Sequence, residues 1–218
     1  MQDPKPHRWE RKAQERPAAL FDAALKAFGT AGFRATRLED IAEAAGVSKG
    51  TIYNYFTNKN DLLLQAFEYR IQLRMDEMQA ILAGFEGTSE ARLCLVMTTM
   101  WERWQCEHWA RLQRFILGEA SIDFPELFEM WAQKGPINLW DYLETVLDEG
   151  KANGEFRADL DSATAARFLV SGLSQQALFN VHFKIEKHMS IPPSRILAGT
   201  LDVFLHGIRT QPLERIIP

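Results

Sequence analysis

Apolar residues return every three or four positions along the whole of this chain, and alternating β-branched runs bounded by turn dipeptides are absent from it. That spacing predicts an all-α protein. A first helix is expected to open at Pro17, a residue suited to the first helical position, with Leu20, Phe21, Ala24, Leu25 and Phe28 on one face and Gly29 and Gly32 ending it. Thr36 reads as the N-cap of a second helix, with Glu39 completing a capping box and Leu38, Ile41, Ala42 and Ala45 facing inward. Gly46 stands just past that helix, where a left-handed backbone is needed. Ser48 then caps a short third helix, expected over Lys49 to Thr57, whose strongly apolar positions are Ile52 and Phe56 alone. Asn58 to Asn60 breaks the run, and a long fourth helix is expected from about residue 61 to 82.

Beyond Gly84-Phe-Glu-Gly87 the expected helices lengthen, over about 89–106, 109–120, 125–134, 136–152, 161–184 and 194–209. Pro125 and Pro136 are placed in first turns, Asn153-Gly154 closes a helix, and Asp161 and Ser194 are N-caps.

The third helix makes a chemical demand. With Ile52 and Phe56 turned inward, Gly50, Thr51, Asn54 and Thr57 face away, flanked by Tyr53 and Tyr55. Two short helices joined by a glycine-containing turn form a helix-turn-helix, whose second helix lies in the major groove of DNA. The residue types suit a groove: Gly50 lets backbone approach phosphate, Thr51 and Asn54 can reach base edges, and the tyrosine hydroxyls can bond phosphate oxygens. Lys49 and Lys59 bracket the helix as phosphate clamps, and its N-terminus at Ser48-Lys49 offers free N–H donors.

The run LEDIAEAAGVSKGTIYNYFTNKNDLL (38–63), preceded by ALFDAALKAFGTAGFRATR (19–37), resembles the DNA-binding domain of the tetracycline-repressor (TetR) family. The resemblance covers about a quarter to a third of the chain. It implies a three-helix DNA-binding domain over 14–74 and a helical ligand-binding and dimerisation domain over 75–218. It further implies operator contacts from Thr36, Arg37, Ser48, Lys49, Gly50, Thr51, Tyr53, Asn54, Tyr55 and Lys59, with the basic arm Arg8, Arg11, Lys12 and Arg16 as a secondary contact. Where many relatives carry histidine before the phenylalanine, this chain has Tyr55. By the same resemblance the C-terminal region builds an effector pocket and dimerises through its last two helices, about 161–184 and 194–209.

Charge sharpens this picture. The net charge of −4 argues mildly against a polyanion partner, but residues 1–70 carry eleven Lys/Arg against nine Asp/Glu, a net of +2, and the rest carries the acidity. No apolar run reaches the ~18 residues a bilayer requires, and the first residues lack the apolar stretch of a secretory signal, so a cytoplasmic protein is expected. Cys94 and Cys106 lie about 120° apart on one expected helix and are not expected to bridge. No metal site, cofactor or catalytic residue is expected: the five histidines have neither metal-ligand spacing nor a paired nucleophile, and the chain does not read as an enzyme.

One recognition helix reads too few base pairs, at ~1–3 kcal/mol each, to find an operator in a genome, so a homodimer on an inverted repeat is expected. The last two helices supply apolar rows (Phe168, Leu169, Leu173, Phe179; Ile196, Leu197, Leu201, Phe204, Leu205, Ile208), with Gly172, Ala177 and Gly199 permitting close packing. For the effector, Met97, Trp101, Trp104 and His108 form a stripe on one helix, and five of six tryptophans lie after residue 100. Phe115, Trp131, Asn138, Trp140 and Gln176 are the further candidates for lining. Aromatic cavities with few polar groups hold small apolar ligands, so a hydrophobic or aromatic effector is expected.

Overall fold

The computed structural model of the protein describes residues 8–182 and 191–209, without the side chains of 8–17, His108, Arg111 and His182. The described backbone is helical: α1 (Arg8–Ala31), α2 (Leu38–Ala44), α3 (Lys49–Tyr55), α4 (Lys59–Ala83), α5 (Ser89–Trp104), α6 (Glu107–Phe115), α7 (Ser121–Asp123), α8 (Pro125–Ala132), α9 (Asn138–Ala152), α10 (Ser162–His182) and α11 (Pro193–Ile208). Ile116–Ala120 and Gln133–Ile137 are π-helical.

The helix ends follow local chemistry, with five departures from expectation. α1 begins at Arg8, so Pro17 lies inside it and gives no N–H to the turn before. The helix runs through Gly29 because the left-handed turn is taken by Gly32, φ +84°, whose N–H still donates to the Phe28 carbonyl at 3.0 Å. α2 is capped one residue later than expected: the Arg37 N–H donates to the Asp40 carboxylate at 3.3 Å, while the Thr36 hydroxyl turns back to the Gly32 carbonyl at 2.7 Å. Pro136 does not start a helix. The chain stays helical from Pro125 to Ala152, and because Pro136 has no N–H the ladder widens to π register around it. α11 likewise takes Pro193 at its first turn, so Ser194 is not its cap.

Other expected punctuation holds. Ser48 caps α3 by accepting the Thr51 N–H at 3.2 Å, Asp161 caps α10 by accepting from Thr164 at 3.0 Å, and Gly154 (φ +76°) closes α9. Gly150, inside α9, serves packing: a β-carbon there would collide with the Phe156 ring.

The chain divides into two compact units, the first holding the described residues up to Ala80 together with Arg114–Trp131, the second Ile81–Gln113 with the described residues from Ala132 onward. The sequence division into 14–74 and 75–218 did not foresee that Arg114–Trp131 joins the N-terminal unit. The first unit's core is Leu20, Phe21, Ala24, Leu25 and Phe28 of α1, Ile41 and Ala42 of α2, Ile52 and Phe56, and Leu62, Leu63, Ala66 and Phe67 of α4. Each large apolar side chain so buried contributes about 1.5–3 kcal/mol. In the second unit α5, α9 and α10 pack on one another and α11 packs on α10 and α5. The Glu155 carboxylate caps α5 by accepting the Ser89 and Glu90 N–H groups, and Arg209 ties the end of α11 to Glu90 with two bonds of 2.6 and 3.0 Å.

Candidate DNA-binding face and sensor core

Gly46 (φ +67°) turns the chain between α2 and α3, and the Val47 N–H closes the turn on the Ala42 carbonyl at 2.9 Å. Ile52 and Phe56 are buried, and Phe56 meets Phe21 of α1 at 5.8 Å between ring centres. With those two anchors fixed, Ser48, Lys49, Gly50, Tyr53, Asn54 and Tyr55 are exposed on one side and Thr51 is half-buried. Nothing but Ser48 Oγ, at 3.9 Å, approaches the space a Gly50 side chain would take, so a ligand backbone can come close there. Tyr53 and Tyr55, 47% and 40% exposed, are large rings left in water. These exposed side chains form a polar, aromatic-edged surface suited to phosphates and base edges.

Two residues assigned to DNA contact are engaged inside the protein. Thr36 is 4% exposed and its hydroxyl is used by Gly32. The Lys59 ammonium donates to three backbone carbonyls, Phe33 at 2.6 Å, Thr36 at 2.9 Å and Arg34 at 3.3 Å, and stands 4.4 Å from the Phe33 ring centre. An ammonium has three N–H groups, so this arrangement leaves none for a phosphate. The α1–α2 connection that Lys59 closes is also held by Arg114–Trp131: Phe124 packs edge-on against Phe33 at 4.5 Å and Asp123 pairs with Arg34 at 2.8 Å. Arg37 stays exposed at the start of α2, and the side chains of Arg8, Arg11, Lys12 and Arg16 lie outside the described residues.

Electrostatically the face is organised by Glu39, which sequence reading took for capping chemistry. Its carboxylate accepts from Lys49 at 2.7 Å and from the Tyr53 hydroxyl at 3.3 Å, with Arg37 Nε 3.9 Å away. The Lys49 hydrogen bond holds the Glu39 carboxyl down at about 2, and Glu39 in turn pushes the Lys49 ammonium up. Asp61 is also lowered, because it accepts the Thr57 N–H and the Gln65 amide, fixing the joint between α3 and α4.

The second unit holds the expected sensor residues unevenly. Met97, Trp101 and Trp104 are buried on α5, and Trp104 meets Trp109, which the sequence reading passed over, at 5.8 Å. Trp140 is half-buried under the Arg167 guanidinium at 5.5 Å. Gln176 is half-buried and Asn138 exposed; the His108 side chain lies outside the described residues. Phe115 and Trp131 belong to the first unit, where Trp131 packs on Phe128 at 5.7 Å. Among the described residues, four buried polar atoms have no hydrogen-bond partner, Gln105 Nε2, Gln113 Oε1, Trp140 Nε1 and Asn180 Nδ2, and all four fall in the second unit. Buried polar groups are almost always paired. Asn180, 4% exposed within the most apolar stretch of the chain, was the legible signal. Cys94 and Cys106 are free thiols, and Cys106 Sγ accepts the Trp109 N–H at the start of α6.

Fold and face together define a helix-turn-helix DNA-binding protein with a separate helical unit. Residues 20–66 match the family model of bacterial regulatory proteins of the tetR type, and 91–207 match the C-terminal domain of AefR-like transcriptional repressors. The chain belongs to the TetR family of transcriptional regulators. It is 26% identical over 201 residues to the fatty acid metabolism regulator protein of Bacillus subtilis, covering 91% of this chain and 99% of that one. It is 29% identical over 161 residues to the transcriptional repressor KstR2 of Rhodococcus jostii, covering 71% and 74%. The crystal structure of FadR from Bacillus subtilis in complex with stearoyl-CoA superposes with a TM-score of 0.69 at 20% identity, covering 88% of this chain and 98% of that one. Both relatives are regulators, the second a transcriptional repressor of the helix-turn-helix type. No described helix is long and apolar enough to cross a membrane.

Proposed function

We propose that this regulator is a cytoplasmic repressor that sits on an inverted-repeat operator as a homodimer and leaves it when an acyl-chain effector enters the second unit. The observation that carries the effector reading is that one helical unit holds both buried aromatics, Trp101 and Trp104, and buried polar atoms without a partner, Gln105 Nε2, Trp140 Nε1 and Asn180 Nδ2. An amphiphile with an apolar chain suits such aromatic surroundings, and its carbonyl-bearing head would supply the missing acceptors. Likeness along nearly its full length to a fatty acid metabolism regulator supports the same class of ligand. Sequence readout is assigned to Thr51 and Asn54, and phosphate contact to Arg37, Ser48, Gly50, Tyr53 and Tyr55.

Dimerisation is assigned to α10 and α11, through a face that the single chain leaves uncovered. Phe168 is 71% exposed and Val203 74% exposed, and the space beside Gly172 and Gly199 is open. Of the apolar rows expected there, Leu169, Leu173, Phe204, Leu205 and Ile208 are buried in the protomer's own core, whereas Phe168 is exposed and Phe179, Ile196, Leu197 and Leu201 are half-buried; we assign the centre of the interface to Phe168 together with Val203, which lay outside those rows.

Release follows from linkage, because an effector weakens DNA binding only by as much as it prefers the DNA-incompetent state. Arg114–Trp131 is suited to carry the signal: both its ends continue into the second unit, and its Phe124 and Asp123 hold Phe33 and Arg34 beside the Lys59 lock. The test is operator selection from random duplexes followed by titration with an acyl-CoA, the free fatty acid and coenzyme A alone. Release by an acyl compound with quenching of tryptophan fluorescence, and a weakened response in Trp101→Phe, is the expected result. Absence of a sequence-preferring, salt-sensitive complex overturns the operator reading, and a complex indifferent to every acyl compound overturns the effector reading.

A further inference from the structure

Glu39 places a permanent negative charge on a face built to meet phosphates, and in the sequence it passed for a cap. Its carboxylate occupies three residues expected on the operator: Lys49 (2.7 Å), Tyr53 (3.3 Å) and Arg37 (3.9 Å). The Lys49 ammonium also stands 5.8 Å from the Tyr53 ring centre, so the cation, though exposed, is held between the Glu39 carboxylate of α2 and a ring of its own helix. A carboxylate and a backbone phosphate compete for the same donors, since both offer anionic oxygens to charge-assisted hydrogen bonds.

We infer that Glu39 is a specificity-determining residue: a built-in phosphate mimic that withholds Lys49 from DNA of arbitrary sequence. This rests on the reading that the α2–α3 face meets DNA. Affinity for arbitrary DNA comes almost wholly from phosphates, each lysine–phosphate contact releasing counterions. A lysine already neutralised by Glu39 gains little by exchanging one anion for another, and the abandoned carboxylate would then face the phosphates. Base-edge hydrogen bonds from Thr51 and Asn54 carry no such penalty. The exchange therefore lowers random-sequence binding more than operator binding, and the ratio between them rises. A purely mechanical Glu39, bolting α3 to α2, makes the opposite demand: its removal would loosen α3 and weaken operator binding.

The test uses the full chain and measures binding to a random-sequence duplex and to the selected operator across salt concentrations. Glu39→Gln is expected to tighten random-duplex binding by about eightfold at 0.1 M salt, and to steepen the slope of log K against log salt by about 0.9, the signature of one added phosphate contact. Glu43→Gln removes the same charge from an exposed position of α2 and should leave the slope unchanged. Glu39→Gln combined with Lys49→Ala should return the slope to that of the parent. Thermal melting identifies any loss of fold, and Glu39→Asp, which keeps the charge but shortens its reach to Lys49, should steepen the slope in the same direction if Glu39→Gln does not fold. Equal effects of Glu39→Gln and Glu43→Gln, or weaker random-duplex binding in a folded Glu39→Gln, overturn the inference. If Asn54→Ala costs operator affinity while Glu39→Gln changes nothing, the assignment of Glu39 alone falls; if Asn54→Ala is also inert, the face itself is misassigned.

Discussion

The two units reach order by different means. In the first, short-range chemistry prescribes each step: Gly32 and Gly46 must take positive φ, Ser48 must cap α3, and Ile52 and Phe56 must turn inward for the rest of α3 to face outward. In the second, long helices are held by burial: Leu93, Val96, Met97 and Trp101 of α5 are buried and α5 packs on α9 and α10, and many apolar sequences would satisfy that requirement. A recognition surface tolerates little change because a base-pair contact is directional. A sensor core tolerates much because burial is not. Prescribed chemistry leaves a readable motif, whereas burial leaves only periodicity.

The sharpest way to test this contrast is to place charge on neighbouring positions of α11. Phe204→Asp buries an unpaired carboxylate in the protomer's core and removes a large apolar contact, a cost of about 4 kcal/mol or more that should abolish the cooperative melt. Val203→Asp, next in sequence but exposed in the single chain, should keep a cooperative melt, lowered only by the lost association, yet sediment as a monomer and lose at least ~100-fold, about 3 kcal/mol, in operator affinity. Phe168→Asp should behave the same way. A dimeric Val203→Asp protein would put the interface elsewhere.

In the first unit Lys59→Met should lower stability by about 1–3 kcal/mol in urea melts, since three carbonyls lose a charged donor. The salt slope of DNA binding should remain that of the parent. A slope reduced by about one, at unchanged stability, would restore Lys59 to the phosphate clamp expected from sequence. Asn54→Ala should leave the melt unchanged and cost roughly 1–3 kcal/mol on operator, concentrated at particular base pairs; equal losses on every sequence would move Asn54 to the phosphate-contact class.

What could be read from sequence divides along the same line. The helices, the α2–α3 turn and the outward face of α3 were legible because caps, glycines and i, i+4 apolar pairs act over a few residues. The role of Lys59 was not, because its partners Phe33, Arg34 and Thr36 lie more than twenty residues back along the chain. Glu39 was visible only as a cap candidate, since its partner Lys49 is brought alongside by the turn. The membership of Arg114–Trp131 in the first unit was hidden for the same reason: Phe124–Phe33 and Asp123–Arg34 are contacts across about ninety residues. Along α10 and α11 the apolar rows were seen, but periodicity could not separate Phe204 in the core from Val203 on the surface.

The smallest expected effect concerns pH. Lys49 holds the folded Glu39 carboxyl at about 2, below its ordinary value of 4.5, so its contribution is present above the unfolded value and fades only as pH falls from there towards 2. Between pH 5 and 8 Glu39 stays ionised, and its hold on Lys49, with any effect on DNA affinity, should be constant. Carboxyl-carbon NMR titration is the direct measurement. In the parent protein the Glu39 resonance should remain that of the ionised form down to about pH 3, and in Lys49→Ala its midpoint should climb towards 4.5, because the largest cause of the depression has gone. A backbone hydrogen bond and the Tyr53 hydroxyl, lesser contributors, should leave a residual shift that Tyr53→Phe reduces without removing. A parent midpoint at the ordinary carboxylate value would mean that Glu39 and Lys49 do not pair in solution, leaving Lys49 free for phosphate and the recognition face as unguarded as its sequence suggested.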